Sequence, residues 1–262
     1  MQPLLADSWG LYLAFLLFLA GAYTFVTPLL TMLVLKIQAV PEVQIVDDSN
    51  PLPSDVEQKF NRVDRQLEKL GFQEKDTCLV PNAVTNVTTI LRLYLNYAQQ
   101  DAAMTVAMFS NANGTWTERT HYVEFCSRTQ NGMEVNTGNN RDVSAFKVPA
   151  NTFTTHAPSV TDLAQLYKAH QGFVQQQFKG AAKVLKIQTE FGGDTASYLS
   201  AGIIDELESA RKDGYLKFSS DRKYYLATVK GAYLMTWNEI PPFRQFLRAR
   251  YRAAARQRLK SV

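Results

Sequence analysis

Five cations recur at four-residue spacing near the end of the sequence: Arg244, Arg248, Arg252, Arg256 and Lys260. On a helix that spacing places them in one stripe. A second stripe, Phe243, Leu247, Tyr251, Ala255 and Leu259, is wholly apolar, and Phe246 adds to it. Arg250 and Arg258 raise the charge further. A basic amphipathic helix over 239–262 follows, able to lie in a headgroup layer or to bind an anionic partner. Each cation near an anionic membrane contributes about 1 kcal/mol. The competing reading is a helix docked on the folded body, its arginines solvated or paired with acidic side chains. The candidate binding residues are therefore Arg244, Arg248, Arg250, Arg252, Arg256, Arg258 and Lys260, and the partner is anionic lipid headgroups or a protein.

Catalytic spacing is missing elsewhere. His121, His156 and His170 stand far apart, and none has a metal-ligand spacing with Cys78 or Cys126. The sequence has no HExxH, P-loop, GxGxxG or GxSxG pattern. His121 and Cys126, on one predicted strand, face opposite sides and cannot act together. His170 reads as a core or boundary histidine on a helix face. Phe191-Gly192-Gly193-Asp194 is compatible with an anion site at a helix start, though a turn explains it as well. No cofactor or metal is implied, and the expectation is a non-enzyme.

The charge that makes the tail basic is segregated. All 24 acidic residues lie at or before Glu239, and the last 23 residues carry +7 while the rest carries −3. Two cysteines allow at most one bridge, and each reads more simply as a small buried hydrophobe. Asn86-Val87-Thr88 and Asn113-Gly114-Thr115 match the glycosylation pattern, which has meaning only on a eukaryotic secretory route.

What must position the tail is the apolar run Ser8 to Leu35, 28 residues without a charged side chain. A bilayer core of about 30 Å needs about 20 helical residues, so 8–37 reads as one transmembrane helix, with Pro28 as a tolerated kink. A cleaved signal peptide would have a basic start and a run of about 7 to 15 apolar residues. The start here, MQPLLAD, has no Lys or Arg, so a permanent span is expected. That uncharged flank and Lys36 at the other edge favour a cytoplasmic location for the bulk of the chain.

After the span, Ala39 to Pro53 reads as an extended linker, part of a 38–53 connection. Ser54 and Glu57 form a capping-box pattern for a helix with Val56, Phe60, Val63, Leu67 and Leu70 on one face, ended by Gly71. Alternation then predicts strands over 87–97, 102–109, 116–127 and 133–135, an antiparallel meander joined by short turns. A strand-like AFKVP follows, then a helix to about Phe178 capped by Ser159 or Thr161. Together 54–179 read as an α+β layer pair with one sheet face left free. After a linker at 180–194 come a helix, a hairpin (215–218 with 223–227) and a helix capped by Thr228, a section spanning 195–238.

Asp213-Gly214-Tyr215, the hairpin and the step Tyr225-Leu226-Ala227-Thr228-Val229-Lys230-Gly231 resemble the wing of a winged-helix domain over 205–236. The helix in the recognition position carries Asp205, Glu206 and Glu208, so the resemblance implies a winged-helix-like shape or a small-molecule-sensing module more than contact with nucleic acid. Taken whole, a single span, an α+β section, the run Lys230 to Trp237 and an Arg-rich tail resemble bacterial membrane-anchored proteins of unknown function. The resemblance implies the bacterial inner membrane and no activity. The sequence sets no oligomeric state. The expected role is a membrane-anchored binding or scaffolding protein.

Overall fold

A computed structural model describes residues 4–47, 51–84, 86–112, 115–141 and 146–260. In chain order the elements are α1 (Leu4–Val34), β1 (Lys36–Gln38), β2 (Gln44–Ile45), α2 (Ser54–Glu68), β3 (Gln73–Val84), β4 (Val87–Asn96), β5 (Asp101–Ala112), β6 (Thr115–Thr129), β7 (Glu134–Gly138) and β8 (Thr152–His156). Then follow α3 (Leu163–Phe178), β9 (Lys183–Val184), α4 (Lys186–Phe191), α5 (Thr195–Lys212), β10 (Leu216–Phe218), β11 (Tyr224–Ala227), α6 (Val229–Glu239) and α7 (Phe243–Leu259). The class is α+β. The expected turn and glycosylation pattern at Asn113-Gly114, and Ala145 of the AFKVP segment, lie outside the described residues.

One sheet runs β10-β11-β1-β3-β4-β5-β6-β7-β8, with β2 added to β3 and β9 to β6. It is mixed rather than purely antiparallel, because β8 pairs parallel to β7. The strand after β7 is Thr152–His156, and Phe146 to Pro149 are not in a strand. Pro149 explains the shift: it has no N–H to donate to a ladder, and its carbonyl instead accepts from Thr152 N at 3.0 Å.

Strand β4 shows how the sequence distributes itself over the two faces. Ile90, Arg92 and Tyr94 point to one side, Leu91, Leu93 and Leu95 to the other. Helix α2 packs on the face of Ile90, Arg92 and Tyr94. There Val56 and Phe60 meet Ile90 and Ala107, while Val63 and Leu67 join Tyr94, Phe125 and α3. The leucine face belongs to Leu185, Ile187 and Tyr198 of the α4–α5 region, and Cys78, Val80 and Leu91 pack with Leu199. The face expected to be free is thus covered, and helices flank the sheet on both sides.

The reason α2 accepts a face carrying an arginine is its own acidity. Arg92 is buried, yet its guanidinium donates to Asp64 Oδ2 at 2.7 Å, to Glu57 Oε1 at 3.1 Å and to Thr77 Oγ1 at 2.7 Å. Tyr94 donates to the other Asp64 oxygen at 2.6 Å. A buried charge is tolerable only when so paired. This also overturns the capping box: the N-cap is Pro53, no side chain caps the helix, and the Glu57 carboxylate is committed to Arg92. Gly71 does end α2, at φ +85°, with Phe72 N donating to Leu67 O. The α3 cap is Asp162, not Ser159 or Thr161, its carboxylate accepting from Ala164 N at 2.9 Å.

Two segments read as linkers carry structure. The first supplies the end of β1 and all of β2; the second supplies β9 and α4. Strand β1 begins one residue after α1 ends and sits between β3 and β11. Each strand of the hairpin β10–β11 starts one residue later than expected, and through β1 the hairpin continues the main sheet. Among the described residues it therefore forms no separate wing.

Helix α6 starts where that hairpin ends. Thr228 Oγ1 accepts from Gly231 N at 3.1 Å and donates to the Gly214 carbonyl at 2.8 Å. A Cβ on Gly231 would lie 2.0 Å from the Tyr215 carbonyl oxygen, a backbone atom that cannot swing away. Gly231→Ala is expected to destabilise the fold by about 2 kcal/mol or more through forced backbone displacement. Urea unfolding of both chains in one detergent checks this, and an unchanged midpoint would contradict it.

Candidate functional site

Prolines set the start of α7. Pro241 and Pro242 lack the N–H that would extend α6, so the chain turns and a new helix begins at Phe243. The apolar stripe of α7 faces the body. Ala255 is buried, Leu259 packs against the Leu166 and Phe173 clusters, and the Tyr251 ring stands edge-on to His156. Arg258 fastens the far end: its Nη1 donates to the Thr154 carbonyl at 2.6 Å and to Thr155 Oγ1 at 3.2 Å, with the guanidinium 4.6 Å from the Phe153 ring centroid. Burial, helped by the Arg258 charge, pushes His156 down to about 4, so the imidazole here is neutral near pH 7.

The remaining cations of the tail divide. Arg244 lies 3.7 Å from Glu239, across the turn between the helices. Arg248 is half-buried, while Arg250 and Lys260 are exposed. Arg252 and Arg256 line a cleft of about 240 Å³ together with Arg141, Pro158, Ser159, Ala255 and Leu259. Among the described residues no carboxylate pairs with Arg141, Arg252 or Arg256. Four-residue spacing found Arg252 and Arg256, but Arg141 sits in a polar connection more than a hundred residues away. Only the packing of α7 on β8 and the start of α3 brings it in.

The other end of α7 is aromatic. Trp237 stacks on Phe243 with centroids 5.5 Å apart, Tyr233 stands edge-on to Trp237, and Phe246 is 71% exposed. This elbow is held near α1, because α6 packs along it and Thr31 Oγ1 meets Thr236 Oγ1 at 3.1 Å. Among the described residues of α1, the side carrying Gly21, Thr24, Pro28 and Thr31 is the covered one, whereas Trp9 to Phe18 stand exposed.

Among the described residues, the buried polar cluster around Asp101 is arranged differently from a hydrolytic triad. Asp101 accepts from Ser127 Oγ, from Tyr167 OH at 2.8 Å and from Lys183 Nζ at 2.7 Å, and Ser127 also meets His170 Nε2 at 2.8 Å. In a hydrolytic triad the histidine bridges serine and acid. Here the serine is the bridge, and burial holds His170 at about 4, so it stays neutral and fixes α3 to the sheet. His121 packs on Phe60 of α2 while Cys126 faces Tyr198 and Leu185, confirming opposite sides of β6. Cys78 and Cys126 are free thiols. The Gly192-Gly193-Asp194 turn holds no open anion site: Asp194 fills the α5 start itself, accepting from Ala196 N at 3.0 Å and Ser197 N at 3.3 Å. Among the described residues no three His, Cys, Asp or Glu side chains form a metal-binding group.

Glu124 is the acid with the most displaced titration. Loss of hydration raises it from 4.5 to about 7, and the charges of Glu134 and Glu206 push the same way. A raised acid favours the folded state below the unfolded value and loses that contribution as pH rises through the folded one. Glu124→Gln is therefore expected to leave stability unchanged below about pH 4.5 and to raise it by up to about 3 kcal/mol above pH 7. Unfolding midpoints of both chains across pH 4 to 8 check this; a difference independent of pH would refute it. No protein-family model, no curated protein and no solved structure matches this chain.

Proposed function

We propose that this chain is a non-catalytic, membrane-tethered binding protein whose α6–α7 elbow contacts anionic headgroups. The observation that carries the reading is the exposed apolar helix joined to the sheet without a spacer. Trp9–Val34 has 26 residues, a mean hydropathy of 2.0 and almost no burial. At 1.5 Å per residue it is about 39 Å long, enough for a bilayer core of about 30 Å with some tilt. Water-exposed apolar surface on that scale calls for a cover, and a bilayer matches its length.

With α1 in a bilayer, β1 seats the sheet directly on the headgroup layer and α6 descends beside α1. Trp237, Phe243 and Phe246 then occupy the depth where aromatic rings are favoured, with Arg244 and Arg248 beside the phosphates. The far end of the apolar stripe plays no part in this contact, since Ala255 is buried and Leu259 packs on the body. Lys36 at the inner edge of the span favours the cytoplasmic side of a bacterial inner membrane. Nucleic-acid regulation gains no support, because the hairpin is built into the sheet and α5 buries Leu199, Leu207 and Ala210.

A chain whose only tryptophan is Trp237 (Trp9→Phe, Trp116→Phe), reconstituted into vesicles, tests the reading. Brominated phosphatidylglycerol should quench Trp237 more than brominated phosphatidylcholine, and Arg244→Gln with Arg248→Gln should abolish the difference. Absence of quenching by either lipid would sink the proposal.

A further inference from the structure

We infer that the cleft formed by Arg141, Ser159, Arg252 and Arg256 is a binding site for a phosphate monoester. The inference rests on reading α7 as an anion-binding helix, but not on α1 lying in a bilayer.

Three guanidinium groups from two distant chain segments line one cleft, and none has a carboxylate partner among the described residues. Arg252 and Arg256 are one helical turn apart on α7, and Arg141 approaches from the β7–β8 connection. Like charges lining one small cleft repel, the more so where salt screens them little. An anion placed between them converts that repulsion into attraction. The planar guanidinium fork fits phosphate oxygens two at a time, and Ser159 can add a hydroxyl donor. A phosphate monoester near pH 8 brings close to two negative charges, better matched to three cations than the single charge of a carboxylate.

The walls refine the ligand. Pro158, Ala255 and Leu259 are apolar and adjoin the arginines, so a compact apolar substituent on the phosphate would be covered. At about 240 Å³ the cleft is smaller than the pockets of roughly 300–1,000 Å³ that take drug-sized molecules. Along α7, Arg252 and Arg256 lie nine and thirteen residues beyond Phe243, about 14 and 20 Å from the aromatic elbow. A lipid at the depth of the elbow does not reach that far, which favours a soluble monoester over a headgroup.

The test uses the full chain in phosphatidylcholine nanodiscs, with hydrogen exchange of the 251–259 amides as readout. Phenyl phosphate at pH 8 should slow exchange there saturably and more strongly than benzoate. Arg252→Gln and Arg256→Gln should each raise the half-saturation concentration by roughly tenfold, as expected for a lost charge-assisted pair. Arg62→Gln, an exposed arginine on α2 outside the cleft, should leave it unchanged. In a second arm, nanodiscs containing phosphatidic acid replace the soluble ligand. Protection in that arm alone, lost in the same two variants, keeps the phosphate site and assigns it to a lipid source. No protection in either arm up to about 10 mM ligand, equal protection by benzoate, or equal binding by the variants overturns the inference. Quenching of Trp237 depends on Arg244 and Arg248 instead, so it can persist when the cleft fails.

Discussion

Three residues, Lys36 to Gln38, couple the apolar helix to everything else. Ile37 pairs with Tyr225 on one side and Val84 on the other, and its side chain is buried with Leu207, Leu216 and Tyr225. Leu35 is the single residue between the end of α1 and this strand. An interior strand cannot pivot without breaking ladder bonds on both sides, each group so exposed inside the fold being costly. The direction of α1 is therefore fixed relative to the sheet. The hairpin β10–β11 exists as part of the sheet only because β1 offers it an edge, and α6 follows α1 only because it emerges from that hairpin.

The second organising feature is the unequal chemistry of the two sheet faces. One side of β4 is wholly aliphatic at Leu91, Leu93 and Leu95, and the α4–α5 region covers it with equally apolar groups. The other side contains Arg92, and a helix with carboxylates at Glu57 and Asp64 is what can lie there. Exchange of the two covering layers would strand a buried guanidinium among leucines, an outcome costing several kcal/mol. The arginine thus acts in part as a selector of which helix goes where. The fully buried Asp101 does similar work on the α3 side, where Ser127, Tyr167 and Lys183 all converge on it.

Much of this was legible where one rule of local chemistry dominates. Alternation in 87–97, the positive-φ glycine at Gly71 and the Thr228 cap each predicted their element, because no tertiary contact competes with them. The capping box at Ser54 failed because Glu57 had a better partner, 35 residues away, than the nearby backbone amide. The linkers at 38–53 and 180–194 failed because β2, β9 and α4 are too short to show a period and owe their form to the neighbours they pair with or pack on. For the tail, spacing gave both stripes of α7, but not that Ala255 and Leu259 of the apolar one are spent on the body or that Arg141 joins the cationic one.

That division of α7 changes what its charge can do. A free amphipathic helix binds a membrane through buried apolar area and charge together. A docked one has only the charge, plus whatever its ends expose, so contact made along its length is electrostatic and weakens with salt. The exposed rings at the elbow are the exception, and they lie at the end nearest α1. The arginines at the opposite end have no such apolar support outside the cleft walls of Pro158, Ala255 and Leu259. One helix accordingly offers two chemically distinct surfaces. The aromatic and cationic elbow suits an interface between oil and water, and the guanidinium cluster of the cleft suits a small, doubly charged anion taken from water.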